Sequence, residues 1–578
     1  MSAFAARLPG GLRRNPVAAG IASMLALAAP HAAFASSIWT VTSCADSGSG
    51  SLRAIIAAPT TLSGDTVNLN TLSCPNGQIS LTSSSISISQ NSLTVVGPGK
   101  DALKVDSFAM ALEAERVFNH TGTGTLDIRN LGVARGTVYR SSLGQPALGG
   151  CIYSKGEVYL LGVKITTCNA TSLLETAAGG AVYAKGGLTI HQSTITGNQA
   201  FSNAAGSKGA FGGGVAAQDA LTVTESTITG NKVSAPNGIA NGGGAWTAGS
   251  AEMKNSVEVS GNSALSDHGA ASGGGISVLG NLKFDYGLLA GNTVSLANSG
   301  GGSGGGGASV LGNFSAKYST IDSNQTTGPT NQTSSAGIVV RGNVKIEAST
   351  ISNNSTSGIA GGLYASSNGD FDDEVFLRNT TVSGNHANWI GGISSSHRTN
   401  SFYNSTIAFN TADQPTINNV PLSPGVQVGP FFQDLTVKFQ STIVSNNTAA
   451  GAENDFGTSP TAHTVQVELS SSLLRSSSVP LLPTNPACPL LGPLRNNGGL
   501  TQTHALMSKS PVIDSGNDNL INPNTGSTWG HDQRGPALVN GVLDYVRVSG
   551  AEADMGAYEV QKSDIVFNAA FDGCPAIP

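Results

Sequence analysis

A unit of about 31 residues recurs along the chain and restricts the folds that it can adopt. Each copy has a glycine cluster, an alternating strand and an aliphatic pair ending at asparagine, as in residues 242–262, GGGAWTAGSAEMKNSVEVSGN. The closing asparagines lie 25 to 36 residues apart. They are Asn198, Asn231, Asn262, Asn292, Asn324, Asn354, Asn385, Asn410 and Asn446. A period in this range indicates a stack of units that bury apolar faces against their neighbours.

Apolar and polar residues alternate within each unit, which indicates strands and not helices. Leu188 and Ile190 lie two residues apart, as do Leu282 and Phe284. Helical repeats therefore fit poorly, and a propeller blade needs roughly 40 to 45 residues. One unit suits one coil of three short strands and three turns. The sequence predicts an all-β fold, a right-handed parallel β-helix, because connections between parallel strands are overwhelmingly right-handed.

Glycine and asparagine are predicted to form the corners of this solenoid. The glycine clusters at 212–214, 242–244, 273–275 and 304–307 suit corners with positive φ or closely approaching backbones. Asparagine tolerates left-handed backbone, and stacked side-chain amides can hydrogen-bond from coil to coil. The repeated asparagines are therefore predicted to be structural.

The first 35 residues have the pattern of an export signal. Arginines at 7, 13 and 14 precede an apolar run at 17–29, and residues 33–35 (AFA) form a small-x-small cleavage site. We expect cleavage after Ala35. No apolar stretch reaches the ~20 residues of a membrane-spanning helix. The sequence therefore predicts an extracellular or cell-surface protein with no transmembrane segment in the mature chain.

Six cysteines in an exported chain predict three disulfides. Sequence alone does not fix the pairing, but proximity favours Cys44 with Cys74 and Cys151 with Cys168. Cys488 and Cys574 are then left for each other. Because no CxxC motif or nearby histidine pair accompanies these cysteines, metal binding is the weaker interpretation.

Charge restricts the range of partners. The chain has a net charge of −6, and only 11% of its residues are charged. An acidic chain without a basic cluster is a poor match for nucleic acid or for an anionic membrane.

Three regions resemble known families of secreted bacterial proteins. Residues 43–53 (SCADSGSGSLR), 64–67 (GDTV) and 93–99 (LTVVGPG) resemble a CSLREA-type N-terminal region, and the repeats resemble those of polymorphic outer-membrane proteins. Four ordered motifs resemble a choice-of-anchor Q domain: 496–504 (NNGGLTQTH), 510–516 (SPVIDSG), 532–535 (DQRG) and 554–559 (DMGAYE). The resemblance implies a secreted or surface β-helix, commonly of unassigned activity, whose C-terminal domain lies next to whatever sorts or anchors the protein.

These observations divide the chain into five regions. After the signal peptide at 1–35, residues 36–99 form an N-terminal cap and the first coils. A short helix from Leu52 to Ala58 is the candidate cap, since a solenoid must cover its open end. Residues 100–478 form the repeats, 479–560 the choice-of-anchor Q-like domain and 561–578 a tail. This tail lacks an apolar span and a sorting motif, which leaves the mode of attachment open.

Few residues suggest chemistry. Asp370, Asp372, Asp373 and Glu374 could bind calcium, although a solvated turn is the stronger interpretation. His386 and His397 could form a catalytic or ligand-binding pair, and Trp246 and Trp389 could stack on sugar rings; surface turns and corner packing are the stronger interpretations. No catalytic residue and no cofactor other than calcium is predicted.

The C-terminal region has the densest set of charges. Its members are Asp514, Asp518, Asp532, Arg534, Asp554 and Glu559. We expect Asp532 or Asp554 to pair with Arg534 and the other aspartates to brace turns.

Equivalent positions of the repeats are mostly serine, threonine, asparagine and glycine, which suggests a uniform polar exterior. Together with the export signal, this predicts a β-helix with an adhesion or surface-interaction role toward glycans or cell-surface proteins. The glycine-rich segments lack the context of a phosphate-binding loop, and no GxSxG or HExxH motif is present. Two alternatives stay open: a polysaccharide lyase or hydrolase, and a non-catalytic carbohydrate-binding β-helix.

Overall fold

The fold is a parallel β-solenoid of about 13 turns, as predicted from the sequence. It is seen in a computed structural model of the chain. The structure describes residues 36–107, 115–298, 302–330, 333–367, 373–417, 419–429, 434–459, 463–519, 530–535, 545–561, 564 and 574. The predicted signal peptide lies outside these residues, and the right-handed sense of the coil stays a prediction.

Three long parallel sheets enclose the core, and we number them 1 to 3. Sheet 1 has 15 strands: Ile38–Thr40, Thr66–Asn68, Leu93–Val96, Thr125–Arg129, Glu157–Leu161, Leu188–His191, Leu221–Thr224, Ala251–Lys254, Leu282–Asp285, Phe314–Lys317, Val344–Glu347, Glu374–Arg378, Thr399–Tyr403, Leu435–Gln440 and Val465–Ser470. Sheet 2 has 14: Gln78–Leu81, Lys104–Ser107, Gly132–Ala134, Lys164–Thr166, Thr194–Thr196, Thr227–Thr229, Glu258–Ser260, Leu288–Ala290, Thr320–Asp322, Thr350–Ser352, Thr381–Ser383, Thr406–Ala408, Ile443–Ser445 and Leu473–Leu474. Sheet 3 has 13: Ile86–Ile88, Phe118–His120, Ile152–Ser154, Val182–Ala184, Val215–Ala217, Ala245–Thr247, Ile276–Val278, Ala308–Val310, Ile338–Val340, Leu363–Ala365, Ile393–Ser395, Val426–Val428 and Phe456–Thr458.

Two further sheets extend the coils sideways. Sheet 4 has 12 strands: Thr137–Arg140, Asn169–Ser172, Gln199–Ser202, Lys232–Ser234, Ser263–Ser266, Thr293–Leu296, Gln325–Thr327, Ser355–Thr356, His386–Ala387, Thr411–Ala412, Thr448–Ala449 and Ala452–Glu453. Sheet 5 has six: Ala147–Leu148, Ala177–Ala178, Gly209–Phe211, Ile239–Asn241, Ala271–Ser272 and Ser303–Gly304. Two hairpins pair Thr416–Ile417 with Val420–Pro421 and Leu491–Arg495 with Thr503–Leu506.

The expectation of three strands per coil is therefore too low for the middle of the solenoid. Coils that contain a strand of sheet 5 have five strands, in the order sheet 3, 1, 2, 4 and 5. A second small core of alanine and valine lies between sheets 4 and 5, including Ala170, Ala177, Ala200 and Ala210. Small side chains allow two sheets to approach closely, so these alanines make the extra layer possible.

The glycine clusters form the corners that lead into sheet 3. Gly212, Gly242, Gly273 and Gly305 all have φ between 61° and 71°. A Cβ on Gly213 would lie 2.2 Å from the carbonyl oxygen of Gly243 in the next coil. Both reasons given for glycine at these corners are confirmed.

The repeated asparagines form a buried ladder along the corner between sheets 2 and 4. In each step the side-chain oxygen of one asparagine accepts from the backbone N–H and the side-chain amide of the asparagine one coil earlier. Asn198 donates in this way to Asn231 at 3.0 and 2.9 Å, and Asn385 to Asn410 at 3.1 and 2.9 Å. Amide stacking is therefore confirmed. The left-handed backbone belongs to the preceding residue, such as Gly197 with φ of 64°.

The prediction that Asn446 belongs to the ladder is wrong. Asn410 donates to Asn447 at 3.0 and 2.9 Å, and not to Asn446. Asn446 is the left-handed residue of this coil, with φ of 59°. The next coil closes the ladder with Asp455, whose carboxylate accepts from the backbone N–H and the amide of Asn447.

A second polar ladder runs along the corner between sheets 1 and 2. The Ser193 hydroxyl accepts from the Val163 N–H at 2.9 Å, and Ser226 from Ser193 at 3.0 Å. Ser349 accepts from Ser319 at 3.1 Å later in the stack. Much of the serine and asparagine in the repeats is therefore inside the solenoid.

The N-terminal helix and the disulfides agree with the sequence. The helix spans Leu52–Ala57, and Ser51 caps it by accepting from the Ala54 N–H at 3.2 Å. Its Leu52 and Ile56 belong to the main core, although its role as a cap stays a prediction. All three disulfides form as predicted: Cys44–Cys74, Cys151–Cys168 and Cys488–Cys574. No helix among the described residues is long and apolar enough to cross a membrane.

The described residues from 487 to 561, here called the C-terminal segment, pack on the outer face of sheet 2. Leu491, Leu506, Val512 and Tyr558 form an apolar cluster with Ile443 of that sheet. Polar contacts continue along the face, as where Gln533 accepts from the Thr381 hydroxyl at 2.6 Å. This segment therefore covers the later coils of sheet 2.

Candidate functional site

The outer face of sheet 1 and its edges carry charged, amide and aromatic side chains. In Leu282–Asp285, Leu282 and Phe284 are buried, whereas Lys283 is exposed and Asp285 is half-buried. Because successive strands pair in register, outward residues stack into two rows with a step of about 4.8 Å.

Charge alternates along the second of these rows, whereas the first carries one acid followed by two lysines. From the strand Leu221–Thr224 to Glu374–Arg378, the first row is Thr222, Glu252, Lys283, Ser315, Lys345 and Phe376. The second row is Thr224, Lys254, Asp285, Lys317, Glu347 and Arg378. Opposite charges on neighbouring strands attract, so the rows stabilise the stacking register as well as offering charge to a partner.

Ion pairs tie the centre of the face together. The Glu252 carboxylate lies 3.0 Å from Lys254 Nζ and 3.1 Å from Lys283 Nζ, and Lys283 lies 3.5 Å from Asp285. The hydrogen bond from Lys254 lowers the pKa of Glu252, and the hydrogen bond to Glu252 raises the pKa of Lys283. Burial raises the pKa of Asp285 despite its lysine neighbour, so Glu252 is the stronger partner of Lys283. Exposed pairs of this kind exchange readily for contacts with a ligand because each contributes little.

A shallow cavity of about 500 Å³ lies at one edge of this face. Glu252, Lys283, Asn281 and Asn313 are among its lining residues. The Asn313 N–H donates to Asn281 Oδ1 at 2.8 Å. The side-chain NH₂ groups of both asparagines make no hydrogen bond with the described residues, so they can donate to a ligand.

Two tyrosines form the opposite edge of the face. The rings of Tyr286 and Tyr318 lie 5.1 Å apart, and Tyr286 is 41% exposed. Lys317 Nζ lies 5.1 Å from the Tyr318 ring. Both tyrosines have left-handed backbone, with φ of 55° and 50°. This conformation is unfavourable for a bulky residue, so the outer aromatic edge is held at a cost in backbone strain.

The tryptophans do not form an exposed sugar platform. Trp246 lies in sheet 3, is 8% exposed and packs against Phe211 of sheet 5 with ring centroids 5.2 Å apart. Together with Tyr153 and Tyr183 it fills the corner between these sheets. Trp389 is half-buried in a turn outside the strands, so the two indoles do not occupy equivalent positions.

The histidines proposed as a pair belong to different parts of the coil. His386 lies in sheet 4, where Nδ1 is 3.0 Å from the Thr411 hydroxyl. His397 is buried in the turn between sheets 3 and 1, and its Nε2 lies 2.9 Å from the Gly342 carbonyl oxygen. Burial lowers the pKa of His397. No contact joins them. His386 lies in a strand and His397 is buried, so neither is a surface histidine in a turn, and His397 has a packing role.

The acidic cluster is only partly described. Asp370 and Asp372 lie outside the described residues. Asp373 is buried and accepts from the Ser367 hydroxyl, while Glu374 begins a strand of sheet 1. Within the described part of the chain, no group of three or more histidine, cysteine, aspartate or glutamate side chains could hold a metal ion. The calcium hypothesis stays untested at this cluster.

Four of the six C-terminal charges are buried, namely Asp532, Arg534, Asp554 and Glu559, whereas Asp514 and Asp518 are exposed. Arg534 pairs with Asp532 at 2.8 Å, and its guanidinium lies 4.1 and 4.0 Å from the ring centroids of Tyr545 and Tyr558. Asp514 accepts from the backbone N–H groups of residues 551 and 552. Backbone contacts of this kind brace turns, as expected from the sequence.

Sequence reasoning missed the face of sheet 1. The alternation in 251–254 (AEMK) and 282–285 (LKFD) indicates the buried residues of each strand, and the intervening charged residues form the rows. The sheet-to-sheet register that aligns them follows from the same period. No protein-family model, curated protein or solved structure matches this chain.

Proposed function

We propose that this protein is an exported surface-interaction protein that binds an elongated glycan or cell-surface protein along the outer face of sheet 1. The observation that carries the proposal is the continuous pair of rows on that face. They present charge of both signs, free amides and a tyrosine edge at a regular step. A regular array of this kind suits a partner that is itself extended.

The other long sheets support this choice. The C-terminal segment covers the later coils of sheet 2, and an aromatic cluster fills the corner of sheet 3 with sheet 5. The resemblance to secreted surface proteins points in the same direction. It does so through the residues 43–53 and the four motifs of the C-terminal region.

Many serine and asparagine side chains of the repeats are buried and cannot contact a partner. The sequence suggested a uniform exterior of serine, threonine and asparagine. Since many of these side chains lie in the two buried ladders, the interaction role depends instead on the charged and aromatic rows of sheet 1.

The test is binding of the purified mature chain to a panel of immobilised glycans and extracellular proteins, with product release scored separately. The double variant K283A/K345A removes two cations from one row. We expect it to weaken binding by at least about tenfold, equivalent to ~1.4 kcal/mol. The control variant K232A removes an exposed lysine of sheet 4 and should bind as the unmodified chain does. Equal binding by both variants would refute the proposal, and glycan cleavage would favour the enzyme alternative.

A further inference from the structure

A serine and a histidine meet where the C-terminal segment covers sheet 2. Ser383 is the last residue of the strand Thr381–Ser383, and His504 lies in the hairpin strand Thr503–Leu506. Ser383 Oγ lies 2.8 Å from His504 Nε2. The two residues are 121 positions apart in the sequence, and the fold alone brings them together.

The other nitrogen of His504 fixes the direction of this hydrogen bond. His504 Nδ1 lies 2.6 Å from the carbonyl oxygen of Gly492. A carbonyl oxygen only accepts, so Nδ1 carries the proton and donates it. In the neutral ring, Nε2 is then the acceptor and the Ser383 hydroxyl is the donor. Burial lowers the pKa of His504 to about 4, which keeps the ring neutral at pH 7.

The pair opens onto a cavity of about 460 Å³. Ser383 and His504 both line this cavity, together with the apolar side chains of Phe409, Leu491 and Met507. The Phe409 ring lies 5.1 Å from the His504 ring. Asn353 and Asn446 also line the cavity. A cavity of this size with mostly apolar walls and a few polar groups has the character of a small-molecule site.

The backbone next to Ser383 breaks the pattern of the solenoid. In earlier coils the residue at this corner donates its N–H to a carbonyl of the next coil, as Gly291 does to Asp322 at 3.0 Å and Asn353 to Ser383 at 3.2 Å. Gly384 occupies the same corner, with φ of 68°, and lines the cavity. Its N–H has no acceptor among the described residues. This N–H is therefore available to an oxygen that carries negative charge beside Ser383.

We propose that Ser383, His504 and the Gly384 N–H form a site that hydrolyses carboxylic esters with an apolar acyl group. The Ser383 oxygen bonds to the carbonyl carbon while its proton passes to His504 Nε2. The carbonyl oxygen becomes an oxyanion and accepts from the Gly384 N–H. The carbonyl re-forms, and the alcohol leaves with the proton from Nε2. Water then repeats the sequence on the acyl-serine, which releases the acid and restores Ser383.

The roles of these groups differ. Ser383 and His504 are the catalytic residues, because they touch the reacting atoms. The Gly492 carbonyl is a positioning group that selects the tautomer of His504. The neighbouring contacts Thr350 to Gln502 and Thr381 to Gln533 hold the segment on sheet 2 without lining this cavity.

The experiment uses the full mature chain, a fluorophosphonate probe and p-nitrophenyl butyrate. We expect a covalent adduct on Ser383, identified by mass spectrometry, and turnover of the ester. The variants S383A and H504Q should lower the rate by on the order of 10²-fold or more. S352A is the matched control, because Ser352 holds the same position one coil earlier but donates to Asp322 at 2.7 Å. It should keep the rate of the unmodified chain.

The pH dependence of labelling distinguishes a catalytic role of Ser383 and His504 from a purely structural one. The labelling rate should rise with pH through an ionisation near 4 and stay constant from pH 6 to 8, since neutral His504 is the base. Hydrogen exchange over Thr503–Leu506 checks that each variant keeps the segment in place. If a variant loses protection in Thr503–Leu506, the test of the proposal is whether the unmodified chain forms the adduct on Ser383. The absence of an adduct on Ser383, or an adduct elsewhere with undiminished turnover in S383A, would overturn the proposal.

Discussion

Replacing Asn292 by alanine tests the buried amide ladder. Asn292 is fully buried, and its Oδ1 accepts from the backbone N–H of Asn262 at 3.0 Å and from the amide of Asn262 at 2.9 Å. Its Nδ2 donates to the carbonyl of Val259 at 2.9 Å and to Asn324 Oδ1 at 3.0 Å. Asn292→Ala removes all four hydrogen bonds and leaves the Asn262 N–H with no acceptor.

The magnitude follows from the groups left unsatisfied. Each buried polar group that loses its only partner costs about 1–3 kcal/mol, and partly satisfied groups cost less. The Asn262 N–H loses its acceptor, while the Asn262 amide keeps a hydrogen bond to the Ile228 carbonyl at 2.8 Å. With a small cavity added, we expect the free energy of unfolding to fall by about 3–5 kcal/mol.

The assay is urea unfolding followed by circular dichroism. Because the stability of a solenoid is distributed over its coils, hydrogen exchange in Glu258–Ser260 and Thr293–Leu296 should show where protection is lost. Asn298→Ala is the control, since Asn298 is exposed and its side chain makes no hydrogen bond with the described residues. It should change stability by no more than about 0.5 kcal/mol. A loss below ~1 kcal/mol in Asn292→Ala would refute the reasoning.

Three further predictions concern the C-terminal segment. The double variant C488S/C574S removes the disulfide between two residues that are 86 positions apart in the sequence. Its loss should destabilise the C-terminal segment by about 4–5 kcal/mol and make it sensitive to limited proteolysis. His504 has a folded pKa of about 4, below its unfolded value, so the unfolded chain binds more protons between pH 4 and 6.5. Stability should therefore fall by about 3 kcal/mol as the pH drops through that window, and H504Q should remove this dependence in thermal unfolding. Arg534→Met leaves Asp532 buried without its cation, which should cost about 3–5 kcal/mol in urea unfolding, whereas an unchanged midpoint would contradict the buried pair.

The solenoid itself was predictable because its signals are periodic. Alternating residues such as Leu282 and Phe284 predict strands, and the recurring asparagines predict which residues stack. The period alone does not predict which asparagine follows Asn410 in the ladder, because Asn446 and Asn447 are adjacent and both are compatible with it. Backbone geometry chooses between them, since Asn446 takes the left-handed position.

The extra sheets were not predictable from the same pattern. Ala170, Ala177, Ala200 and Ala210 form the core of the added layer, but alanine has no strong preference for strands and its runs resemble loops. The buried serine ladder was not predictable for a related reason. Polar side chains suggest an exposed surface unless a partner at a fixed distance satisfies them, and only the stacked register supplies that partner.

The candidate sites show the same distinction between local and long-range information. Tryptophan in a repeat suggests a sugar platform, yet Trp246 is covered because Phe211 of another sheet packs against it. Ser383 belongs to no motif, His504 only ends the motif at 496–504, and the two residues lie in different regions of the chain. Their contact depends on the C-terminal segment folding back on sheet 2, which no spacing in the sequence specifies.

Lysine-reactive footprinting tests the proposed function most directly. The mature chain is labelled with and without the partner found on the panel, and protection at each lysine is measured by mass spectrometry. Lys254, Lys283, Lys317 and Lys345 should be protected together, because they lie on one face of sheet 1, while Lys232 on sheet 4 should label equally in both states. Protection of Lys232 with full labelling of the four lysines would contradict the assignment of this face.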